Sequence, residues 1–358
     1  MKTHFWSVPN GAFDQDSRII QEAAMLIQLG KRVAFPTETV YGLGADARST
    51  EAVDGIFAAK GRPSDNPLIV HIANLSQLDD LVDRPDETSL RLMERFWPGP
   101  LTVVLPVRAG GRLSPRVTAG LDTVGVRIPD HPLALSLLAA AACPIAAPSA
   151  NRSGRPSPTT ASHVRDDLDG RIEGILDGGP TGVGLESTVV QVQHGIVHIL
   201  RPGGITKEQL IDAGFLVQES ASSDQTVESK DKEWTPRAPG MKYAHYAPKG
   251  LMTIVEGENH TLIRERIQQE LNNSANASLR TGVLTFVDHA TFYQADFIEV
   301  CGHREHPEQL AQQLFGALRR FDEAGVDIIF AEGCPNVGIG HAVMNRLRKA
   351  AGHRVIEV

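Results

Sequence analysis

The sequence predicts an α/β protein with two domains. Its 358 residues exceed one ordinary domain, and its 41% apolar and 22% charged residues are close to the average of globular proteins. Helical and strand patterns alternate over the first two hundred residues and again from Gly250 onward. Between them, residues 219–233 are almost all polar or charged and cannot bury enough surface to order themselves. We therefore expect a first domain at 1–215, a linker at 216–248 and a smaller domain at 249–358.

Apolar periodicity and helix-stopping residues define the elements of the first domain. The segment Ser17–Leu29 has a single apolar face, and Gly30 after it is a typical helix stop. A strand is predicted over Arg32–Phe35. Further along, the patterns predict helices over Thr50–Ala59, Ser89–Phe96 and Leu133–Ala142, and strands over Pro67–Ala73, Leu101–Pro106, Val124–Ile128, Ile145–Ala147 and Val189–Val192.

The second domain repeats this alternation on a smaller scale. The patterns predict a helix over Gln309–Glu323 and strands over Leu251–Val255, Gly282–Val287 and Asp327–Ala331.

Charge and cysteine content restrict the partners and the compartment. The 35 basic and 43 acidic residues give a net charge of −8, which disfavours a general coat for nucleic acid or anionic membrane but allows a local basic cleft. Three cysteines without a Cys-x-x-Cys pair indicate neither a disulfide framework nor a zinc ribbon, so a reducing cytoplasm is expected. Residues 1–16 lack the apolar core of a signal peptide. Residues 132–151 are uncharged, but Pro144 and Pro148 break any membrane-spanning helix there.

Two short motifs are interpreted without special chemistry. Gly42-x-Gly44-x-x-Ala47 loosely matches a dinucleotide-binding fingerprint, but the strand before it is disrupted by Pro36, so a tight turn is favoured. Cys301, His303 and His306 are near one another but lack a fourth metal ligand, so a polar loop before a helix is favoured.

Two polar segments favour an anion site. Lys60 and Arg62 combine a point charge with a guanidinium fork, a pairing suited to phosphate oxygens, although cations at a helix C-terminus are the alternative. Ser149 and Asn151 follow a predicted buried strand, where open α/β sheets place ligands, although an ordinary Ser/Asn turn is the alternative. Arg127 in another strand needs an anion if it is buried.

Taken together, the segments resemble the L-threonylcarbamoyladenylate synthases, which have an N-terminal YrdC-like domain and a C-terminal accessory domain. The resemblance is carried by Phe35-Pro-Thr-Glu-Thr-Val-Tyr-Gly-Leu-Gly44, Lys60-Gly-Arg-Pro-x-x-Asn-Pro-Leu68, Ser149-Ala-Asn-x-Ser-Gly154, Glu186-Ser-Thr-Val189, Arg201-Pro-Gly203, Pro239-Gly-Met-Lys-Tyr-x-His-Tyr-Ala-Pro248 and Asn345-Arg-Leu-Arg-Lys-Ala-Ala351. It implies a twisted mixed-sheet α/β domain with a basic cleft, followed by a smaller Rossmann-like α/β domain.

The resemblance also implies a reaction and its site. L-Threonine, bicarbonate and ATP would give L-threonylcarbamoyl-AMP and pyrophosphate, the first step of threonylcarbamoyladenosine formation in tRNA. The implied catalytic residues are Lys60, Arg62, Ser149 and Asn151. The implied ATP-binding residues are Arg62, Asn66, Thr123, Ser149, Ser157, Arg201, Tyr243 and His245. The implied threonine-binding residues are Thr39, His71, Arg127, Ala147 through its backbone, and Ser187.

The implied cofactor is Mg²⁺ that is held mainly by the phosphates of ATP, with no protein metal ligand and no tightly bound organic cofactor. Implied partners are the enzymes that transfer the threonylcarbamoyl group to tRNA, with neither a membrane nor a stable nucleic-acid complex. Two other hypotheses remain open. The cleft would bind RNA without turnover, or the second domain would be a docking or regulatory unit with the linker as a lid.

Overall fold

The computed structural model describes residues 1–8, 17–219 and 246–358. They form two compact units, each with its own β-sheet. Within the described ranges, the first unit comprises 1–8, 17–153, 158–182 and 186–219, and the second comprises 154–157, 183–185 and 246–358. Leu216–Glu219, which the sequence placed in the linker, pairs in parallel with a neighbouring strand. The rest of the predicted boundary stays a prediction, because 220–245 lie outside the described residues.

The first unit is built on a mixed sheet of eleven strands. In spatial order the strands run β1-β8-β2-β3-β7-β4-β6-β5-β9-β10-β11. Their bounds are β1 (His4–Ser7), β2 (Val33–Phe35), β3 (Gly42–Asp46), β4 (Ile69–His71), β5 (Leu101–Pro106), β6 (Thr123–Arg127), β7 (Ile145–Ala146), β8 (Gly174–Asp177), β9 (Thr188–Gln193), β10 (Ile196–Arg201) and β11 (Leu216–Glu219).

Helices surround this sheet and bury their apolar faces against it. Their bounds are α1 (Arg18–Gln28), α2 (Thr50–Lys60), α3 (Glu87–Phe96), α4 (Pro115–Thr118), α5 (Pro132–Ala141), α6 (Ala161–Leu168) and α7 (Lys207–Asp212), with a 3₁₀ turn at Leu75–Asp80. The apolar side of α1, which the sequence predicts, is fully buried and packs with α5. The predicted helices and central strands are therefore confirmed to within a few residues.

The strand β3 is where the sequence-based interpretation was wrong. Gly42 and Gly44 do not form a tight turn, because they belong to a strand that pairs antiparallel with both β2 and β7. A Cβ atom on Gly44 would lie 2.8 Å from side-chain atoms of Phe35 and Ile145. The glycine therefore lets neighbouring side chains approach the strand closely. Because glycine has a weak strand propensity, the sequence pattern did not reveal this strand.

The second unit is a parallel five-stranded sheet with helices. The strand order is β14-β13-β15-β12-β16, and every pair is parallel. The bounds are β12 (Leu251–Glu256), β13 (Thr281–Thr285), β14 (Phe297–Val300), β15 (Ile328–Glu332), β16 (Val355–Glu357), α8 (His260–Asn276), α9 (Pro307–Ala324) and α10 (Ile339–Ala350), with a 3₁₀ turn at Ala290–Phe292. This arrangement confirms the expected Rossmann-like α/β unit.

Candidate active site

Lys60 is held at the end of α2 by the local sequence. Ser49 caps the start of the helix by accepting from the amide of Ala52, and Gly61 ends it in the left-handed conformation at φ 61°. Lys60 is therefore the last helical residue, and only 3% of it is exposed.

The ammonium of Lys60 meets the corner formed by Ser149 and Asn151. Its Nζ donates to the carbonyl oxygen of Ser149, and it lies 2.5 Å from the carbonyl oxygen and 3.4 Å from the side-chain oxygen of Asn151. Oxygen atoms thus replace the water that a buried ammonium would lose. The structure brings together two segments that lie about ninety residues apart in sequence.

The corner itself is fixed by β7 and β3. Ser149 Oγ donates to Asn151 Oδ1 at 2.6 Å, and the amide nitrogen of that side chain donates to the carbonyl of Arg152 at 2.9 Å. Ser149 also forms an antiparallel bridge with Gly42 of β3. The strand β3, which the sequence analysis interpreted as a tight turn, therefore supports the serine–asparagine corner.

Arg62 and Asn66 lie on the loop between α2 and β4. The guanidinium of Arg62 lies 3.5 Å from the carbonyl of Asn66 and 3.3 Å from that of Pro67. Asn66 is fully buried, yet neither its amide oxygen nor its amide nitrogen has a hydrogen-bond partner among the described residues. A buried amide without partners costs free energy, which is typical of a residue that binds a ligand.

The carboxyl ends of β4 and β6 form a second group of polar residues. His71 and Arg127 are paired residues in the parallel register of the two strands. The guanidinium of Arg127 donates to Thr39 Oγ1 at 2.9 Å and to the carbonyl of Gly99 at 3.2 Å, and it forms an ion pair with Glu38. Arg127 is only 3% exposed, so the counter-ion that burial requires is supplied within the chain.

His71 is neutral in this environment. Burial, and after it the positive charge of Arg127, lowers the pKa of His71 to about 3. Its ring stands edge-on to Phe35, and its Nδ1 has no hydrogen-bond partner among the described residues. A neutral imidazole can donate or accept a hydrogen bond to a small polar ligand without adding charge.

Ser187 and Arg201 are joined to one another beside this group. The guanidinium of Arg201 donates to the carbonyl of Ser187 at 2.8 Å and lies 3.2 Å from its Oγ. Ser187 Oγ is also 2.7 Å from Thr102 Oγ1 on β5. Arg201 was assigned to ATP and Ser187 to threonine by resemblance, so the two assignments meet at one point.

The remaining implied residues are placed less closely. Thr123 begins β6 while Arg127 ends it, so the two lie about 13 Å apart along the strand. Ala147 donates its amide to the carbonyl of Ile69, and Ser157 is fully buried. Tyr243 and His245 lie outside the described residues.

Sequence reasoning missed Glu38 and Thr102. Glu38 belongs to a polar run, Thr37-Glu38-Thr39, that follows β2, and this position was a signal for a ligand-facing loop. Thr102 lies inside an apolar strand and gives no such signal.

The described residues contain neither a cluster of metal ligands nor a membrane-spanning helix. Within residues 1–8, 17–219 and 246–358, no three His, Cys, Asp or Glu side chains are grouped as metal ligands. Cys301 is buried, whereas His303 pairs with Asp288 and His306 with Glu308. No helix in the same ranges has the length and apolar character needed to cross a bilayer.

Comparison with known proteins covers the whole chain. The family model described as "Telomere recombination" matches residues 25–203, and that of the "Threonylcarbamoyl-AMP synthase, C-terminal domain" matches 205–352. Proteins named threonylcarbamoyl-AMP synthase are 53% identical in Bacillus subtilis, over 99% of this chain and 100% of theirs, and 47% identical in Pyrococcus abyssi, over 95% and 96%.

Two solved structures of P. abyssi Sua5 are also similar. A double variant superimposes with a TM-score of 0.91 at 44% identity, covering 99% of this chain and 98% of the other. The structure described as complexed with L-threonine gives 0.88 at 46% identity, covering 95% and 96%. The chain therefore belongs to the threonylcarbamoyl-AMP synthase family.

Proposed function

We propose that this chain condenses L-threonine, bicarbonate and ATP into L-threonylcarbamoyl-AMP and pyrophosphate. Similarity to proteins of that name extends over the whole length of both chains, so neither unit lacks a counterpart. One of the similar solved structures is described as a complex with L-threonine.

The observation that carries this proposal is the contact between Lys60 and the serine–asparagine corner. A single segment before β4, residues 60–66, supplies one buried ammonium, one guanidinium and the amide of Asn66, which has no hydrogen-bond partner among the described residues. Charge accumulates on phosphoryl oxygens during nucleotidyl transfer, and preorganised cations stabilise it. The phosphates of ATP would lie next to Lys60 and Arg62, at the amino end of β4.

Threonine would lie at the opposite end of β4 and β6. Arg127 and Thr39 offer charge and hydroxyl donors for a carboxylate, and neutral His71 offers a hydrogen bond to a hydroxyl group. The ion pair with Glu38 holds the guanidinium in position. Because β4 has only three residues, a carbamate formed on threonine would be close enough to reach the α-phosphate of ATP.

The chemistry needs no covalent enzyme intermediate. The amine of threonine attacks the carbon of bicarbonate, loses a proton and releases water, which leaves a carbamate. A carbamate oxygen then attacks the α-phosphorus of ATP, the bond to the β-phosphate oxygen breaks, and pyrophosphate departs with its electron pair. The chain's contribution is to position three reactants and exclude water.

Magnesium would accompany ATP and be held mainly by its phosphates, where it neutralises the charge of the leaving pyrophosphate. Such an ion needs few protein ligands, and Ser149, Asn151 and Asn66 supply oxygen atoms of the kind it prefers. The product would pass to enzymes that transfer the threonylcarbamoyl group to tRNA. We also propose that the protein acts in the cytoplasm.

RNA binding without turnover is not favoured, because similarity over the full chain is to named synthases. The lid hypothesis concerns residues 234–248, most of which lie outside the described residues, and stays a prediction.

Substrate omission tests the proposal. The protein is incubated with threonine, bicarbonate and ATP, and each is left out in turn while pyrophosphate and the adenylate are followed by mass spectrometry. We expect both products only when all three substrates are present. Pyrophosphate release that does not depend on threonine would contradict the proposal.

A further inference from the structure

The carboxyl edge of the second sheet has the topology of a ligand site. From β12 the chain steps past β15 to β13 and then to β14, whereas after β15 it moves to the other side, to β16. Connections from β13 and β15 therefore leave in opposite directions and open a crevice between their ends. Ligands of open α/β sheets bind in this kind of crevice.

A buried carboxylate orients a histidine at that crevice. Glu332, the last residue of β15, is 2% exposed and accepts from Thr285 Oγ1 and from the hydroxyl of Tyr293 at 2.9 Å. Its other oxygen lies 2.7 Å from Nδ1 of His289. With Nδ1 donating to the carboxylate, the second ring nitrogen of a neutral His289 is an acceptor, which suits the hydroxyl group of a hydrogen phosphate.

A second histidine comes from a different connection. His260 begins α8, after β12, and its ring stands edge-on to His289 with 6.2 Å between ring centres. The connections after β12 and β13 therefore place two histidines beside the carboxylate at the end of β15.

Arg304 lies between the end of β14 and the start of α9, so it brings a positive charge to the same carboxyl edge of the sheet. Burial lowers the pKa of His260, and the charge of Arg304 is the next contribution. Burial raises the pKa of Cys334 to about 12, and the same guanidinium opposes that rise. Arg304 lies in the connection after β14. Its charge acts on residues that follow β12 and β15, and β13 lies between β14 and those two strands.

Over the described parts of the chain, the guanidinium of Arg304 has only a weak partner. Its side chain is 16% exposed, and among the described residues its recorded ion pair is with Glu305 at 3.9 Å, beyond hydrogen-bond distance. The carboxylate of Glu305 is 80% exposed and adjacent in sequence. A largely buried guanidinium without hydrogen bonds is typical of a residue that receives an anion from outside.

We propose that the crevice between β13 and β15 binds a small phosphate-type anion through Arg304, His260 and His289. The oxygens of Glu332 are already engaged by Thr285, Tyr293 and His289. Two further acid–histidine pairs are exposed at the same edge, Asp288 with His303, and Glu308 of α9 with His306. The site lies within the second unit and does not depend on the reaction proposed for the first.

Histidine NMR on the full-length protein tests this site. The chain is labelled in its histidine side chains, and the signals of His260 and His289 are assigned from His260→Gln and His289→Gln variants. Inorganic phosphate is then titrated at constant pH and ionic strength, and AMP is titrated in a second series. We expect both signals to shift together and to saturate in the millimolar range or below.

The two titrations distinguish the source of the anion. Saturation by phosphate alone indicates a free anion, and saturation by both indicates a phosphate group carried on a nucleotide. A linear shift without saturation would mean adventitious ion binding only and would contradict the site.

Substitutions separate this site from other cations. Arg304→Gln should raise the half-saturating concentration at least about tenfold, because a charge-assisted hydrogen bond is lost. Arg304→Lys, which keeps the charge, should fall between this variant and the wild type. Arg280→Gln removes an exposed guanidinium at the opposite end of the sheet and should change nothing. Equal saturation in the wild type and Arg304→Gln would overturn the proposal.

Discussion

A lysine that is 3% exposed has lost most of its hydration, so protein or ligand oxygen atoms must surround its ammonium. In this chain they come from Ser149 and Asn151, which fix the ammonium at one place. A fixed cation costs no reorganisation when negative charge develops on a bound phosphate, which is how electrostatic preorganisation accelerates a reaction.

Replacing this cation gives the first prediction. Lys60→Ala should lower the rate of pyrophosphate release by about two to three decades, since losing one preorganised charge contact costs about 2–4 kcal/mol of transition-state stabilisation. Lys207→Ala is the matched control, because the side chain of Lys207 is partly exposed and pairs at 3.6 Å with Glu219 on the edge strand β11. Full activity in a folded Lys60→Ala variant would exclude the role assigned to this lysine.

His71 gives a prediction about pH. Its folded-state pKa is lowered to about 3, below the unfolded value near 6.5, because burial disfavours the charged ring. The unfolded state therefore binds more protons between these values, and stability is lost as pH falls below about 6.5. His71 should account for a loss of about 2 kcal/mol between pH 7 and pH 5.

Urea unfolding at pH 7 and pH 5 measures this loss. His71→Asn should show a smaller fall in the free energy of unfolding between the two pH values than the wild type. The same fall in both proteins would mean that His71 is protonated in the folded state.

Part of the site could be predicted from residue types, and the rest depended on the geometry of the fold. The cation pair at 60 and 62 and the polar corner at 149–151 stood out from the sequence because such side chains are unusual beside buried strands. Glu38 was missed, since its significance comes from the buried guanidinium of Arg127, which only the fold brings next to it.

At the scale of elements, the end of α2 sets where Lys60 lies. Gly61 has φ 61°, which residues with a Cβ adopt at a cost, and a Cβ there would have no neighbour within 4 Å. Substitution at this position therefore strains the backbone without a steric clash. We expect this strain to shift Lys60, the residue just before it.

Gly61→Ala should lower the free energy of unfolding by about 1 kcal/mol through this strain. Gly110→Ala is the matched control, with φ 72° and equally open space in the loop after β5. We expect similar stability losses from the two variants in chemical denaturation, but a lower rate of pyrophosphate release only for Gly61→Ala. Equal rates in both variants would show that the helix terminus does not position Lys60.

Helices and buried strands were predictable because their apolar period or their continuous apolar run is local information. The strand β3 was not, because two glycines and short side chains weaken its pattern and only its neighbours β2 and β7 make it a strand. Likewise, Leu216–Glu219 was predicted to be part of the linker but is an edge strand, because it pairs with β10.

At the scale of the whole molecule, a net charge of −8 coexists with several buried cations. The acidic balance argues against general binding of polyanions, whereas Lys60, Arg127 and Arg201 are 3–4% exposed and act at short range. Composition alone therefore argued against general polyanion binding, and only the resemblance over the full chain pointed to one reaction.

Isotope transfer from bicarbonate tests the proposed reaction most directly. The protein is incubated with ATP, L-threonine and ¹³C-bicarbonate, and the nucleotide products are separated and weighed by mass spectrometry. The account predicts an adenylate that carries threonine and one ¹³C atom, formed together with an equal amount of pyrophosphate. An adenylate without the heavy carbon, or ATP consumption that yields only AMP or ADP, would contradict it.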